Sequence, residues 1–149
     1  MTAPRKSLVA GGVISALISI LHVFLTFRPD LYRYVSPGQD SGLAQMAEQG
    51  SSFTSILTFA LALMFAIWAM YAFSGAGLIR RMPLLRPALI AIGVIYILRG
   101  LFLPSEVSMV LTQGYPFRFA IFSLISLVAG VLYLIGGLQR GKGSSRAEP

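Results

Sequence analysis

Residues 8–27, 53–79 and 119–138 hold no formally charged side chain, and a fourth stretch, 87–103, is interrupted only by Arg99. A helix rises about 1.5 Å per residue, so runs of this length approach or exceed the ~30 Å hydrocarbon core of a bilayer. Inside lipid every backbone N–H and C=O needs a partner within the protein, which an isolated apolar run satisfies only as a helix. The fold class read from the sequence is therefore all-α: a four-helix transmembrane bundle, up-and-down, with spans at about 8–27, 53–79, 87–103 and 119–138. Composition agrees. The chain is 56% hydrophobic and 11% charged, against about 25% charged in ordinary soluble domains. A water-soluble globule of 149 residues has too little interior for that much apolar surface.

Orientation follows from where the cations fall. The hinge at 80–87, Arg80-Arg81-Met82-Pro83-Leu84-Leu85-Arg86-Pro87, separates the second and third runs and carries three arginines and no acid. Its two prolines discourage a continuous helix. With Arg5, Lys6, Arg140, Lys142 and Arg146, eight basic residues flank the runs on the hinge side, against Arg28, Arg33 and Arg118 on the other. Positive residues stay on the cytoplasmic side, so both termini are expected there. The same placement accounts for the net charge of +7 without nucleic acid, which is not an expected partner. The first run exceeds the ~7–15 apolar residues of a signal peptide and no small-x-small cleavage site follows it, so it reads as an uncleaved span.

Small and polar residues line one face of each run. Gly11, Ser15, Ser19, His22 and Thr26 recur at helical spacing, as do Thr54, Thr58, Ala62, Ala66, Ala69 and Ala76, then Gly93, Tyr96 and Gly100, and finally Ser123, Ser126, Gly130, Tyr133 and Gly137. Such faces let helices approach closely in lipid. Trp68 and Tyr71 lie too deep to be outer-interface anchors. Ser74-Gly75-Ala76-Gly77 reads as a loosened last turn. The first outer connection holds Tyr32 and Tyr34, suited to headgroup level, then a Pro37-Gly38 turn and a short amphipathic helix at 42–49 that stops at Gly50. Pro104 is expected to end the third span, with 105–118 forming the second outer connection. Residues 1–138 make the membrane domain, and 139–149 form a disordered basic tail.

Chemistry has few carriers. Without cysteine, disulfides and thiolate sites are excluded, and one histidine cannot supply an HExxH zinc site or a two-histidine haem clamp. No carboxylate lies within a span, which counts against proton-coupled export and acid-ringed cation channels. No catalytic residue, metal site or cofactor is expected, and an enzyme is disfavoured. Arg99 is the one charge inside a run. By helical rise it sits about 6 Å below the outer end, with Ser123 at a similar depth and His22 and Thr58 at about 7–8 Å. His22, Thr58, Tyr96, Arg99 and Ser123 thus form a candidate ligand-binding layer for an anionic or strongly dipolar group. The competing reading is structural: Arg99 snorkels to the headgroups or pairs with Glu106, Asp30 or Glu48, and His22 bonds between helices.

Segments Leu21-His22, Phe27-Arg28-Pro29-Asp30-Leu31-Tyr32-Arg33-Tyr34, Ala47-Glu48-Gln49-Gly50, Tyr71-Ala72-Phe73-Ser74-Gly75-Ala76-Gly77-Leu78-Ile79-Arg80-Arg81 and Tyr96-Ile97-Leu98-Arg99-Gly100 resemble those of small four-span bacterial inner-membrane proteins to which no activity is attached. The resemblance implies a bacterial inner-membrane location and transfers no site residue. The expectation is a non-enzymatic membrane subunit that self-associates or serves a larger membrane partner. The alternative is a small transporter or a lipid-, quinone- or anion-binding protein using the His22 and Arg99 layer.

Overall fold

The computed structural model describes residues 3–32, 42, 45, 46 and 49–144. Its regular structure is helical: α1 (Ala3–Phe27), a single 3-10 turn (Pro29–Leu31), α2 (Ser52–Ala76), α3 (Leu85–Gly100), α4 (Leu103–Gln113) and α5 (Arg118–Ser144). Four rods are long and apolar enough to cross a membrane: Arg5–Phe27, Ser52–Ala76, Leu85–Gln113 and Arg118–Gln139. The fold is the expected all-α arrangement of four helices. Half of the amphipathic helix expected at 42–49, residues 43, 44, 47 and 48, falls outside the described residues. Gly50, at φ 70, and the Ser51 N–H bonded to Met46 O at 2.9 Å mark a helix-type stop there.

Several boundaries differ from the sequence reading. Proline lacks an N–H, and its ring crowds the carbonyl four residues earlier. Pro104 therefore acts on Gly100, where α3 ends, and itself occupies the first turn of α4. Leu101 and Phe102 keep right-handed helical angles, so α3 and α4 form one kinked rod; the third span, expected at 87–103, runs from Leu85 to Gln113 and contains Glu106, a carboxylate that the sequence reading left outside every span. The second outer connection consequently shrinks to 114–117, begun by Gly114 at φ 65. The end of α2 is closed rather than loosened: Leu78 N–H reaches Phe73 O at 2.9 Å and Gly77 N–H reaches Ser74 O at 3.0 Å, with Gly77 at φ 73. That pair of bonds is the Schellman closure. At the other end, α5 runs on to Ser144, into the segment expected to be a disordered tail.

The chain divides into two compact units, one of residues 1–14 and 68–149 and one of residues 15–67. In the first, α3 and α5 pack antiparallel through glycine. A Cβ at Gly93 would lie 3.1 Å from Gly130 O, one at Gly130 would lie 2.9 Å from Gly93 O, and one at Gly100 would lie 2.9 Å from Leu127 Cα. Backbone contact of this kind replaces the hydrophobic drive that helix association lacks in lipid. The start of α1 enters the same unit as a knob. Leu8 is fully buried in a notch left by Gly75 and Gly136, Gly12 faces Ala72 and Phe73, and Gly11 opens the slot for the Tyr133 ring. Four helix segments thereby meet around Leu8, Leu89 and Tyr133, each 0% exposed.

The second unit is a hairpin of the later part of α1 and the earlier part of α2. Ser19 Oγ donates to Ala62 O at 2.7 Å, and Tyr32 OH donates to Thr54 O at 3.3 Å. Leu25 and Tyr32 are buried together with Leu31 against them. Tyr32 therefore closes the hairpin, and Tyr34 lies outside the described residues. Burial raises the Tyr32 pKa above its ordinary value, because the phenolate would lose its hydration.

The hinge between α2 and α3 is pinned by one side chain. Ser74 Oγ donates to Arg80 O at 3.0 Å and accepts from the Met82 N–H at 2.9 Å. Leu84 then takes left-handed angles, φ 50 and ψ 30, a conformation costing about 1–2 kcal/mol for an L-residue.

Candidate functional site

Two groups of polar and aromatic side chains in the unit of residues 1–14 and 68–149 include residues of the expected layer. The first lies at the kink. Arg99, the penultimate residue of α3, projects along the rod to Glu106 two turns on, and its Nη1 lies 3.3 Å from Glu106 Oε1. The same nitrogen forms a short hydrogen bond to Ser123 Oγ, little more than one turn into α5. The Arg99 side chain is 42% exposed, whereas that of Glu106 is 15% exposed and its Oε2 is buried without a hydrogen-bond partner. With its guanidinium this far exposed, the pair contributes less than about 1 kcal/mol as an ion pair. Its larger effect is neutralisation: it cancels a charge that would otherwise stand alone near the middle of an apolar rod.

The second group is aromatic. Tyr133 OH donates to Trp68 O at 2.8 Å, Trp68 meets the edge of Tyr96 at 5.0 Å between ring centroids, and Tyr96 lies 5.8 Å from Tyr133. Tyr96 is 3% exposed. The edge-to-face Trp68–Tyr96 pair adds about 0.5–1.5 kcal/mol beyond burial.

Of the residues expected in the binding layer, the structure joins Arg99 and Ser123 directly and turns Tyr96 into the aromatic cluster. His22 and Thr58 belong to the unit of residues 15–67. His22 Nδ1 pairs with Ile18 O at 2.8 Å and its ring lies 5.1 Å from Phe65. Thr58 Oγ1 donates to Thr54 O at 2.8 Å. Both make bonds to the carbonyl four residues back on their own helix, a local option open to any such side chain within a helix. Among the described residues, no three His, Cys, Asp or Glu side chains come together as metal ligands would.

Trp68 and Tyr133 were absent from the expected layer. Two signals pointed to them: the depth of Trp68 in its span, and the position of Tyr133 on a face otherwise made of serine and glycine. What the sequence did not show is that Gly11, on a different helix, leaves room for the Tyr133 ring.

Four apolar rods of 22 to 29 residues, with between 22 and 33% of their most apolar windows buried by the chain itself, define a multi-pass integral membrane protein. The remainder of each rod is suited to lipid. No family model, curated protein or solved structure matches the chain.

Proposed function

We propose that the protein is a non-enzymatic subunit of a bacterial inner membrane, with both termini cytoplasmic, acting through association with other membrane helices, copies of itself included. The observation that carries this reading is the use of Arg99: its guanidinium is engaged by Glu106 and Ser123. A binding pocket needs convergent polar groups left available to a ligand. The polar layer instead serves internal bonds, with Tyr96 sealed by Trp68 and Tyr133. The glycine faces of α3 and α5 are likewise spent on each other. Contact with a partner therefore falls to bulky outward residues such as Leu17, Ile56, Leu98 and Leu124, each at least 48% exposed.

Fluorescence energy transfer between labelled copies in liposomes, measured against protein-to-lipid ratio, tests self-association. Native mass spectrometry from the source membrane tests for a partner. The expected result is a stable protein complex that survives both Arg99→Leu and His22→Ala. A stoichiometric small molecule lost with both substitutions would overturn this reading in favour of a transporter or a lipid-, quinone- or anion-binding protein. Orientation is checked separately: the chain has no cysteine, so single cysteines at 40 and 149 report their sides to an impermeant maleimide. Labelling at 40 from the periplasm and protection at 149 is expected.

A further inference from the structure

One end of the unit of residues 1–14 and 68–149 is cationic and also apolar. Leu8 packs against positions 75 and 136, and Leu89 against position 75. These contacts bring the first turns of α1 and the hinge between α2 and α3 to the same end. Arg5, Lys6, Arg80, Arg81 and Arg86 stand there. The described acid of this unit, Glu106, is on α4, past the opposite end of α3. Among the described residues no acid pairs with the guanidinium groups of the three hinge arginines, which are all exposed, and Arg5 Nε is buried without a hydrogen-bond partner.

The hinge is also held in one shape, by the Ser74 clamp on Arg80 and Met82 and by the closure at Gly77. Beside the arginines it turns Leu78, Ile79 and Leu84 outward, at 51, 42 and 78% exposure. In water that apolar surface is unfavourable. At a bilayer interface the same pattern is favourable, since leucine and isoleucine enter the acyl boundary while the guanidinium groups remain with the phosphates. All three hinge cations are arginine, whose planar fork matches phosphate oxygens in pairs.

We propose that this hinge is seated in the headgroup layer and binds the phosphate of anionic phospholipids through Arg80, Arg81 and Arg86, with Leu84 and its neighbours as the apolar anchor. The site is independent of whether the protein self-associates.

The test is to titrate the full chain in micelles with short-chain phosphatidylglycerol or phosphatidylcholine and count bound lipid by native mass spectrometry. Phosphatidylglycerol is expected to be retained in preference to phosphatidylcholine. Replacing Arg80, Arg81 and Arg86 together by Gln is expected to weaken that retention roughly a hundredfold at low ionic strength, about fivefold per basic residue. Replacing the three by Lys should keep it within about tenfold of the unaltered protein, since the charge remains. Arg118→Gln, at the far end of α5 about 28 Å along the helix from Gly137, should leave it unchanged. Equal retention of both lipids, full retention by the Gln variant, or an equal loss in the Lys or Arg118 variants would overturn the proposal.

Discussion

Replacing Gly100 by alanine puts a methyl group where α3 touches the backbone of α5. The new Cβ would lie 2.9 Å from Leu127 Cα and 3.0 Å from Leu127 N, whereas ordinary contact begins at 3.4 Å. Because the obstacle is main chain, no rotamer change relieves it, and α5 must retreat by about half an ångström along a glycine-lined seam. Overpacking of this kind costs about 1–3 kcal/mol. Alanine's better helix propensity returns at most about 1 kcal/mol, less at the last residue of a helix. The net expectation is a loss of about 1–2 kcal/mol. Gly137→Ala provides the internal control: its Cβ would meet Leu89 Cβ at 3.2 Å and Ile90 Cγ1 at 3.3 Å, a misfit small enough for the propensity gain to cancel it. Unfolding in micelles by added sodium dodecyl sulfate, followed by fluorescence of the single tryptophan, compares the two, since Trp68 packs on Tyr96 within the same unit. A Gly100→Ala protein as stable as Gly137→Ala would refute the direct backbone contact.

Ser74→Ala removes both bonds that pin the hinge and leaves the Met82 N–H and Arg80 O to find water; a loss of about 1–3 kcal/mol is expected in the same unfolding assay, with faster proteolysis at 80–82. Tyr32 gives a pH prediction. Its folded-state pKa is raised by burial, so its stabilising contribution is full below the unfolded value of about 10 and falls as pH rises through the folded value. Thermal unfolding scanned above pH 10 should show this loss, and Tyr32→Phe should flatten that part of the profile.

The four spans were legible because bilayer thickness is a one-dimensional constraint. Uncharged runs of sufficient length, bounded by Arg5 and Lys6, by the 80–87 hinge and by Arg118, are local facts of the chain. The depth of Ser123, little more than one turn into α5, could be counted from its span end, but Arg99 falls near the middle of a rod that runs on to Gln113, and the structure joins the two all the same. Depth does not, however, fix rotation about a helix axis or the choice of a nearer partner. His22 and Thr58 each lie within two turns of an end of their own helix, yet each bonds a carbonyl one turn back on that helix. Pro104 was read at its own position, whereas its steric effect falls four residues earlier, at Gly100, and leaves a kink with a further helix beyond it.

The sequence by itself determined that this chain enters lipid as four helices, because a backbone in hydrocarbon has no other way to satisfy its N–H and C=O groups. It also marked which residues were small enough for close packing. Only the tertiary structure decided which glycine meets which helix: Gly93 and Gly100 against α5, Gly11 against Tyr133, and Gly75 and Gly136 against Leu8. Those pairings depend on the rotation and register of separate rods, which involve residues far apart in the chain and leave no periodic trace within either one.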